Sequence, residues 1–453
     1  MQITPPTRAA AFACALVLMS GCPSTPTKPE ASTKPVGQRS TAGKLDSPSP
    51  SLTATPTATP TAQPSKSPSP SPTASVAAGS PSPSPSASAS ATASPTASPT
   101  ATPTPQPLKV STVAGVAAEP AATEGLGATL DGADKGLARL NQPSALAFDK
   151  NGALLVADAG NNRIRKLVFD AAGRATVTTL AGSTSGDSDN TDPLLAQFKS
   201  PGGLAVDMSN NDVYVADTGN QKIKRISASN GAVHALAGSG AMGNTNGPGA
   251  GASFTFPRAL VLDNGKLLVC DTESNMVRSV DVAGSNDVST FIGTGGTVVP
   301  TPGLTFPFGL AIDSAKSLYV AQQGSSTVRK IDKDGVVTTL AGTSGSTGYA
   351  DGNAASAKFD LFNNGAGLAV GSDGTIYLAD SGNVVIRAIK ADKVTTYAGA
   401  RVYADEASKI GLPPGDGLAA DAKFNAPIAL AIAADGTLYV ADRDNNCIRR
   451  IKK

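Results

Sequence analysis

Six times along the chain, a residue able to accept hydrogen bonds stands seven positions before a base. The pairs are Asp158 and Arg165, Asp217 and Lys224, Asp271 and Arg278, Gln322 and Arg329, Asp380 and Arg387, and Asp442 and Arg449. An acid beside a base can move a proton, hold a metal or lock a turn. The constant interval separates these uses, because it leaves no room for insertions and each pair keeps one geometry. A carboxylate at a turn accepts backbone N–H bonds and a guanidinium together. A catalytic pair has no need of six copies. The pairs therefore read as hairpin clamps, with the basic residues set singly on a solvated strand face rather than gathered into a patch. Only the fourth pair, at Gln322, loses its acidic charge.

Other chemistry is thinly supplied. The chain has one histidine, His234, at the repeat position of Thr178 and Thr338, which predicts an outermost strand. A zinc lyase needs several histidine ligands, and a Ser-His-Asp or Cys-His arrangement needs its nucleophile beside the ring. Cys270 and Cys447 fall in different repeats without such a neighbour and are expected to be unpaired. Asp149, Asp207, Asp263 and Asp313 each precede turn residues and read as turn formers. The stretch GDSDNTD, 186–192, lacks the central Gly and closing Glu of a calcium loop and reads as a solvated acidic loop. GSGAMGNTNGPGAG, 238–251, lacks the Gly-Lys-Ser/Thr of a phosphate loop and reads as a flexible loop. The net charge is +2, with no run of five like charges, so neither nucleic acid nor an anionic bilayer surface is an expected partner. No catalytic residue, metal or cofactor is expected.

The elements that position the pairs follow from aligning the chain on itself. One unit reads Pro-x-(Gly/Ala)-Leu-Ala-(Val/Ile)-Asp, a Gly turn, Leu-Tyr-Val-Ala-Asp-x-Gly-Asn, Ile-Arg-Lys-Ile, and Val-x-Thr-Leu-Ala-Gly. Its opening strands are PSALAFD at 143, PGGLAVD at 201, PRALVLD at 257, PFGLAID at 307, GAGLAVG at 365 and PIALAIA at 427. Four short β-branched strands per unit, at a period of about 50 residues, indicate a β-propeller blade. The last unit ends at Lys453 after its third strand, and LKVSTVAG at 108–115 matches the missing fourth. The expectation is an all-β, six-bladed propeller closed by this N-terminal strand, which leaves no open edge. These units resemble the NHL repeat family over essentially all of 108–453. The resemblance implies the fold firmly and an activity much less, since members include binding, scaffolding and sensor domains and a few relatives are lyases or lactonases.

The first 22 residues, MQITPPTRAAAFACALVLMSGC, combine a basic n-region with a short apolar run. Leu18-Met19-Ser20-Gly21-Cys22 resembles a bacterial lipobox, with Met19 standing where Leu is usual. That resemblance implies a signal peptide over 1–21 and lipidation of Cys22. Residues 22–107 are almost wholly Pro, Ser, Thr and Ala, too poor in apolar side chains to order, and read as a disordered tether. Extended throughout at about 3.1 Å per residue, it would reach on the order of 250 Å. A lipid-anchored protein of the bacterial cell envelope is expected, on the outer membrane or facing outward, touching the membrane through the anchor alone.

In a four-stranded antiparallel blade, the loops joining strands two and three share a face with those joining one blade to the next. Irregular loops on a rigid ring are where function concentrates. The residues after each opening Pro, namely Ser144, Gly202, Arg258, Phe308, Ala366 and Ile428, are expected at the ring's mouth. They offer one hydroxyl and one cation, not the converging oxygens of a hard-cation site. Arg258, Phe308, Tyr349, Arg401 and Tyr403 are the candidate contact residues. The reading is a monomeric binding, scaffold or sensor protein for an envelope protein or glycan. The alternative is an envelope hydrolase or lyase, lactonase-like, using the central pocket.

Overall fold

Each unit places Val, Ile, Leu and Ala on both faces of its inner strands, which suits a sheet covered on two sides. The computed structural model describes residues 106–115, 138–293, 303–362, 365–401 and 416–453. Cys22, the signal-peptide segment, the tether as far as residue 105 and Tyr403 lie outside the described residues. Those described are almost entirely strand and turn, with short 3-10 turns and no α-helix among them. They form six antiparallel sheets, each a blade.

Blade one runs through Pro143–Phe148, Leu154–Asp158, Arg163–Phe169 and Ala175–Ala181, each strand pairing with the next. The other five repeat this order. Every second strand is buried along its length in blades one, two, four and six. The reason is the alternation of side chains between two neighbouring blades. Leu155 and Ala157 pack with Leu204, Val213 and Val215 of blade two. Leu154 and Val156 pack with Tyr439 and Ala441 of blade six. The core is thus a ring of inter-blade layers, and the opening strands contact one another in turn around the axis.

The N-terminal strand Lys109–Ala114 pairs antiparallel with Cys447–Lys452, matching Val110 to Ile451 and Thr112 to Arg449. Blade six therefore takes its fourth strand from the other end of the described chain, as expected. Two-residue edge strands, Gly352–Asn353 and Gly417–Leu418, extend blades five and six. Cys270 and Cys447 lie in blades three and six, buried and unpaired. His234 sits on the outermost strand of blade two opposite Arg225.

Deletion of residues 108–115 should leave blade six three-stranded, with an exposed edge. The expected outcome is aggregation or a broadened, early melting transition by calorimetry. An unaltered transition would refute this closure.

Candidate functional site

The turn between the second and third strands ends, in every blade, on a residue in the left-handed region. These are Asn162, Gln221, Asn275, Ser326, Val384 and Asn446, with φ between 50° and 57°. Asn tolerates this conformation best, and the recurrence of Asn there follows. The turn brings the two members of each pair face to face. The distances from carboxylate to cation are 3.1 Å for Asp158–Arg165, 3.7 Å for Asp217–Lys224, 2.9 Å for Asp271–Arg278, 2.7 Å for Asp380–Arg387 and 3.2 Å for Asp442–Arg449.

The expectation of a solvated face for these cations is overturned, because all five are fully buried. Burial is possible because each cation is surrounded by acceptors. Its first donor reaches the carbonyl of Arg139, Gln197, Ser253, Lys358 or Lys423, in the segment leading to the blade's own first strand. The carboxylate takes the backbone N–H of Asn141, Lys199, Thr255, Asp360 or Asn425 from the same segment, at 2.6 to 2.8 Å. A buried aromatic ring lies beneath the cation in four blades: Phe198, Phe254, Phe359 and Phe424, at 5.1 to 5.7 Å. The clamp thus fastens each inter-blade loop to its own hairpin. Burial pushes Asp158, Asp217, Asp271, Asp380 and Asp442 up to about 6, against the pull of these hydrogen bonds and of the cation.

The described parts of the loops joining one blade to the next are largely framework. Asp187 and Asp189 each approach Lys224 Nζ to 3.2 Å, so the acidic stretch at 186–192 is a clasp for a buried cation rather than a solvated loop. Asn246, Asp351 and Asp416 reach Arg278, Arg387 and Arg449 in the same way. The Gly-rich stretch at 238–251, expected to be flexible, is tied down by Gly238 N–H donating to the Gly249 carbonyl and by pairing of Gly247 with Val288.

Hydrogen bonds between blades escaped the sequence reading. The left-handed Asn162, Gln221, Asn275 and Asn446 accept the N–H of Ser200, Phe256, Phe306 and Gln142 in the following blade, at 2.6 to 2.9 Å. Thr218, Thr272 and Ser381 donate their hydroxyls to the carbonyls of Pro257, Pro307 and Pro427. The recurring Asn-before-strand and the Thr or Ser after the clamp acid were the available signals. The residues donating these N–H groups, Phe256 and Phe306 among them, also have positive φ, at 53° and 45°. That is costly for a bulky residue before proline, and Phe306 is nevertheless 38% exposed.

At the axis, four of the six residues expected at the ring's mouth converge, whereas Arg258 and Ala366 do not line the cavity. Ser144, Gly202, Phe308 and Ile428 line a central cavity of about 70 Å³. Phe308 and Ile428 meet over Gly365, where an added Cβ would fall 2.7 Å from both side chains, and its φ of +94° also requires glycine. The Arg258 guanidinium lies 4.8 Å from the Phe308 ring centre. No hydrogen bond or ion pair reaches it among the described residues. Burial lowers its pKa; Glu273 opposes that shift, and Arg443, from the blade across the ring, adds to it. The Ser144 hydroxyl is committed to the Pro201 carbonyl at 2.6 Å. Tyr349 and Arg401 lie elsewhere. Tyr349 is held between the guanidinium groups of Arg387 and Arg401, each at 4.8 Å, and bonds Thr396 on the outermost strand of blade five. The proposed contact residues therefore divide between the axis and the outer rim.

Segments 140–167, 198–226 and 424–451 match the NHL repeat. They are the first three strands of blades one, two and six. The unmatched blades depart from the unit, at Cys270 in blade three, Gln322 in blade four and the Pro-less opening of blade five. The chain is 30% identical to NHL repeat-containing protein 2 of Gallus gallus, over 68% of this chain and 46% of that protein. It is 29% identical to the chloroplastic protein suppressor of quenching 1 of Arabidopsis thaliana, over 56% of this chain and 26% of that one. The chain thus spans less than half the length of either. An auxiliary nutrient binding protein of Bacteroides ovatus shares the fold, with a TM-score of 0.53 and 16% identity over 76% of each chain.

Two predictions follow from the clamp. Asp271→Ala leaves Arg278 buried without its carboxylate and should cost about 3–5 kcal/mol. Replacing both, as Asp271→Leu with Arg278→Met, should cost much less; urea unfolding measures the difference. The second concerns pH. A clamp carboxyl titrates near 6 when folded and near 3.8 when unfolded, so the native state binds protons first as pH falls. Its contribution is fully present below about 4 and lost as pH rises through 6. Asp373 and Asp435, held at about 2 by Lys390 and Lys452, act oppositely, and their contribution fades only between about 4 and 2. The melting temperature should therefore be higher at pH 5 than at pH 7.5 and fall again towards pH 3.

Proposed function

We propose that this chain is an envelope-anchored binding protein, held by lipid on Cys22 and presenting the propeller at the end of the 22–107 segment. Its ligand, a protein or glycan, docks on the face that carries the hairpin turns and the mouth of the ring. The observation that carries this reading is Arg258. It is a cation without an ion-pair partner among the described residues, stacked on Phe308 in an apolar mouth. A guanidinium so placed costs solvation, which an anionic or aromatic ligand group would offset.

The cavity below argues for recognition at the surface rather than turnover inside. About 70 Å³ holds roughly two waters, whereas small-molecule pockets run to about 300–1,000 Å³. Its walls are backbone and apolar side chains, and its one hydroxyl is already committed. Among the described residues lining the cavity none is a free nucleophile or base, which supports the binding reading over the lactonase-like alternative. A binding role for the Bacteroides ovatus neighbour is compatible with this reading.

The test is to display acidic and neutral glycans and peptides to the mature chain. Acidic members should be retained, and Arg258→Glu should weaken their retention at least about tenfold without shifting the melting temperature. Equal retention by the variant would overturn the assignment of the mouth. In cells, Cys22→Ser should move the protein out of the membrane fraction.

A further inference from the structure

Blade four breaks the clamp at two points. In the other five blades the third-strand cation faces a carboxylate from its own hairpin. In four of them an acid or amide from the preceding loop also reaches it: Asp187 and Asp189, Asn246, Asp351 or Asp416. Blade four has Gln322 in the hairpin, and residues 294–306 contain no Asp or Glu. Only the cation, Arg329, is kept.

The surroundings of Arg329 are short of acceptors. Among the described residues no hydrogen bond or ion pair reaches its guanidinium; its Nε is buried without a partner as in the four clamped arginines, but here the terminal nitrogens have no protein acceptor either. Burial alone lowers its pKa, with no opposing charge. Gln322 is 1% exposed. Its Oε1 accepts the hydroxyls of Ser325 and Thr327 at 3.1 and 3.2 Å, which leaves Nε2 buried without an acceptor. Thr305 occupies the position from which Asn141, Lys199, Thr255 and Asn425 donate their backbone N–H to the clamp carboxylate. Its hydroxyl, too, is buried and unpartnered. By the register of the repeat, one cation and two donors thus stand where other blades gather donors on carboxylates, with the Gln322 amide in place of the hairpin acid and no acid from the preceding segment. Arg329 is part-buried, so water offsets part of the desolvation of its charge, but no counter-charge offsets the rest among the described residues.

The geometry points to an anion site in blade four that accepts a carboxylate from outside the chain, held by Arg329, the Gln322 amide and the Thr305 hydroxyl. The five closed clamps define the ligand, because each shows a carboxylate held by the same cation position. Arg329 is only part-buried, so the site opens to solvent. It is independent of the axial mouth, and either can fail alone.

The probe is acetate, titrated into the mature chain in place of a bulky sulfonate at constant ionic strength. The melting temperature should rise saturably by about 2 °C. Gln322→Asp supplies the carboxylate internally: it should raise the melting temperature in acetate-free buffer and abolish the response. Arg329→Met should abolish the response as well. If that variant does not fold, an acetate-dependent shift of one arginine Nε–Hε resonance in the wild type, missing from Gln322→Asp, supports the site. No response in the wild type means that Gln322 itself satisfies Arg329, and the proposal fails. It fails equally if Gln322→Asp responds like the wild type, or if chloride acts as strongly as acetate.

Discussion

The ring depends on a cation that has been taken out of water and must be satisfied. An isolated ammonium or guanidinium in an apolar layer is prohibitively costly. Five of the six blades meet that cost by bringing a hairpin carboxylate, a loop carbonyl and in four of them an aromatic face to the same charge. Because those acceptors come from segments far apart in the chain, satisfying the charge fixes the path of the loop entering the blade. Stability and topology therefore rest on one repeated interaction. The gain over an apolar pair is small in energy, but the clamp specifies a single arrangement of loop and hairpin.

Neighbouring blades are joined by a second device, which trades backbone strain for hydrogen bonds. A left-handed residue ends each hairpin, and a residue with positive φ precedes most opening strands. Both conformations are unfavourable for side chains other than Gly and Asn. In four of the six hairpins they aim an amide oxygen of one blade at a backbone N–H of the next, including Asn446 to Gln142 across the closure. The ring is thereby closed by side-chain ties as well as by the strand Lys109–Ala114.

Against so regular a frame, the departures are informative. Arg258 stands where other blades place Ser, Gly, Phe, Ala or Ile, and Gln322 stands where the others place Asp. Each leaves an arginine without an ion pair among the described residues. The two belong to blades three and four, as does Phe306, exposed on a strained backbone. These local losses of symmetry gather in one sector of the ring.

The sequence alone determined the blade count, the four strands per blade, the borrowed closing strand and the pairing of Asp with Arg or Lys. These are local or periodic properties: alternation shows as β-branched runs, and a constant interval of seven shows a hairpin without insertions. It also placed Ser144, Gly202, Arg258, Phe308 and Ile428 at the axis, because register carries from blade to blade. Only the tertiary structure decided that the clamp cations are buried, since burial depends on the loop carbonyls and phenylalanines that fold over them. The same is true of the acidic stretch at 186–192, whose partners Lys222 and Lys224 lie more than thirty residues away. The separation of Tyr349 and Arg401 from the mouth was likewise invisible, because a loop's sequence does not say whether it turns towards the axis or the rim. Interactions within a hairpin are written in adjacent residues, whereas the environment of a charge is set by chain segments that meet only when the ring is closed.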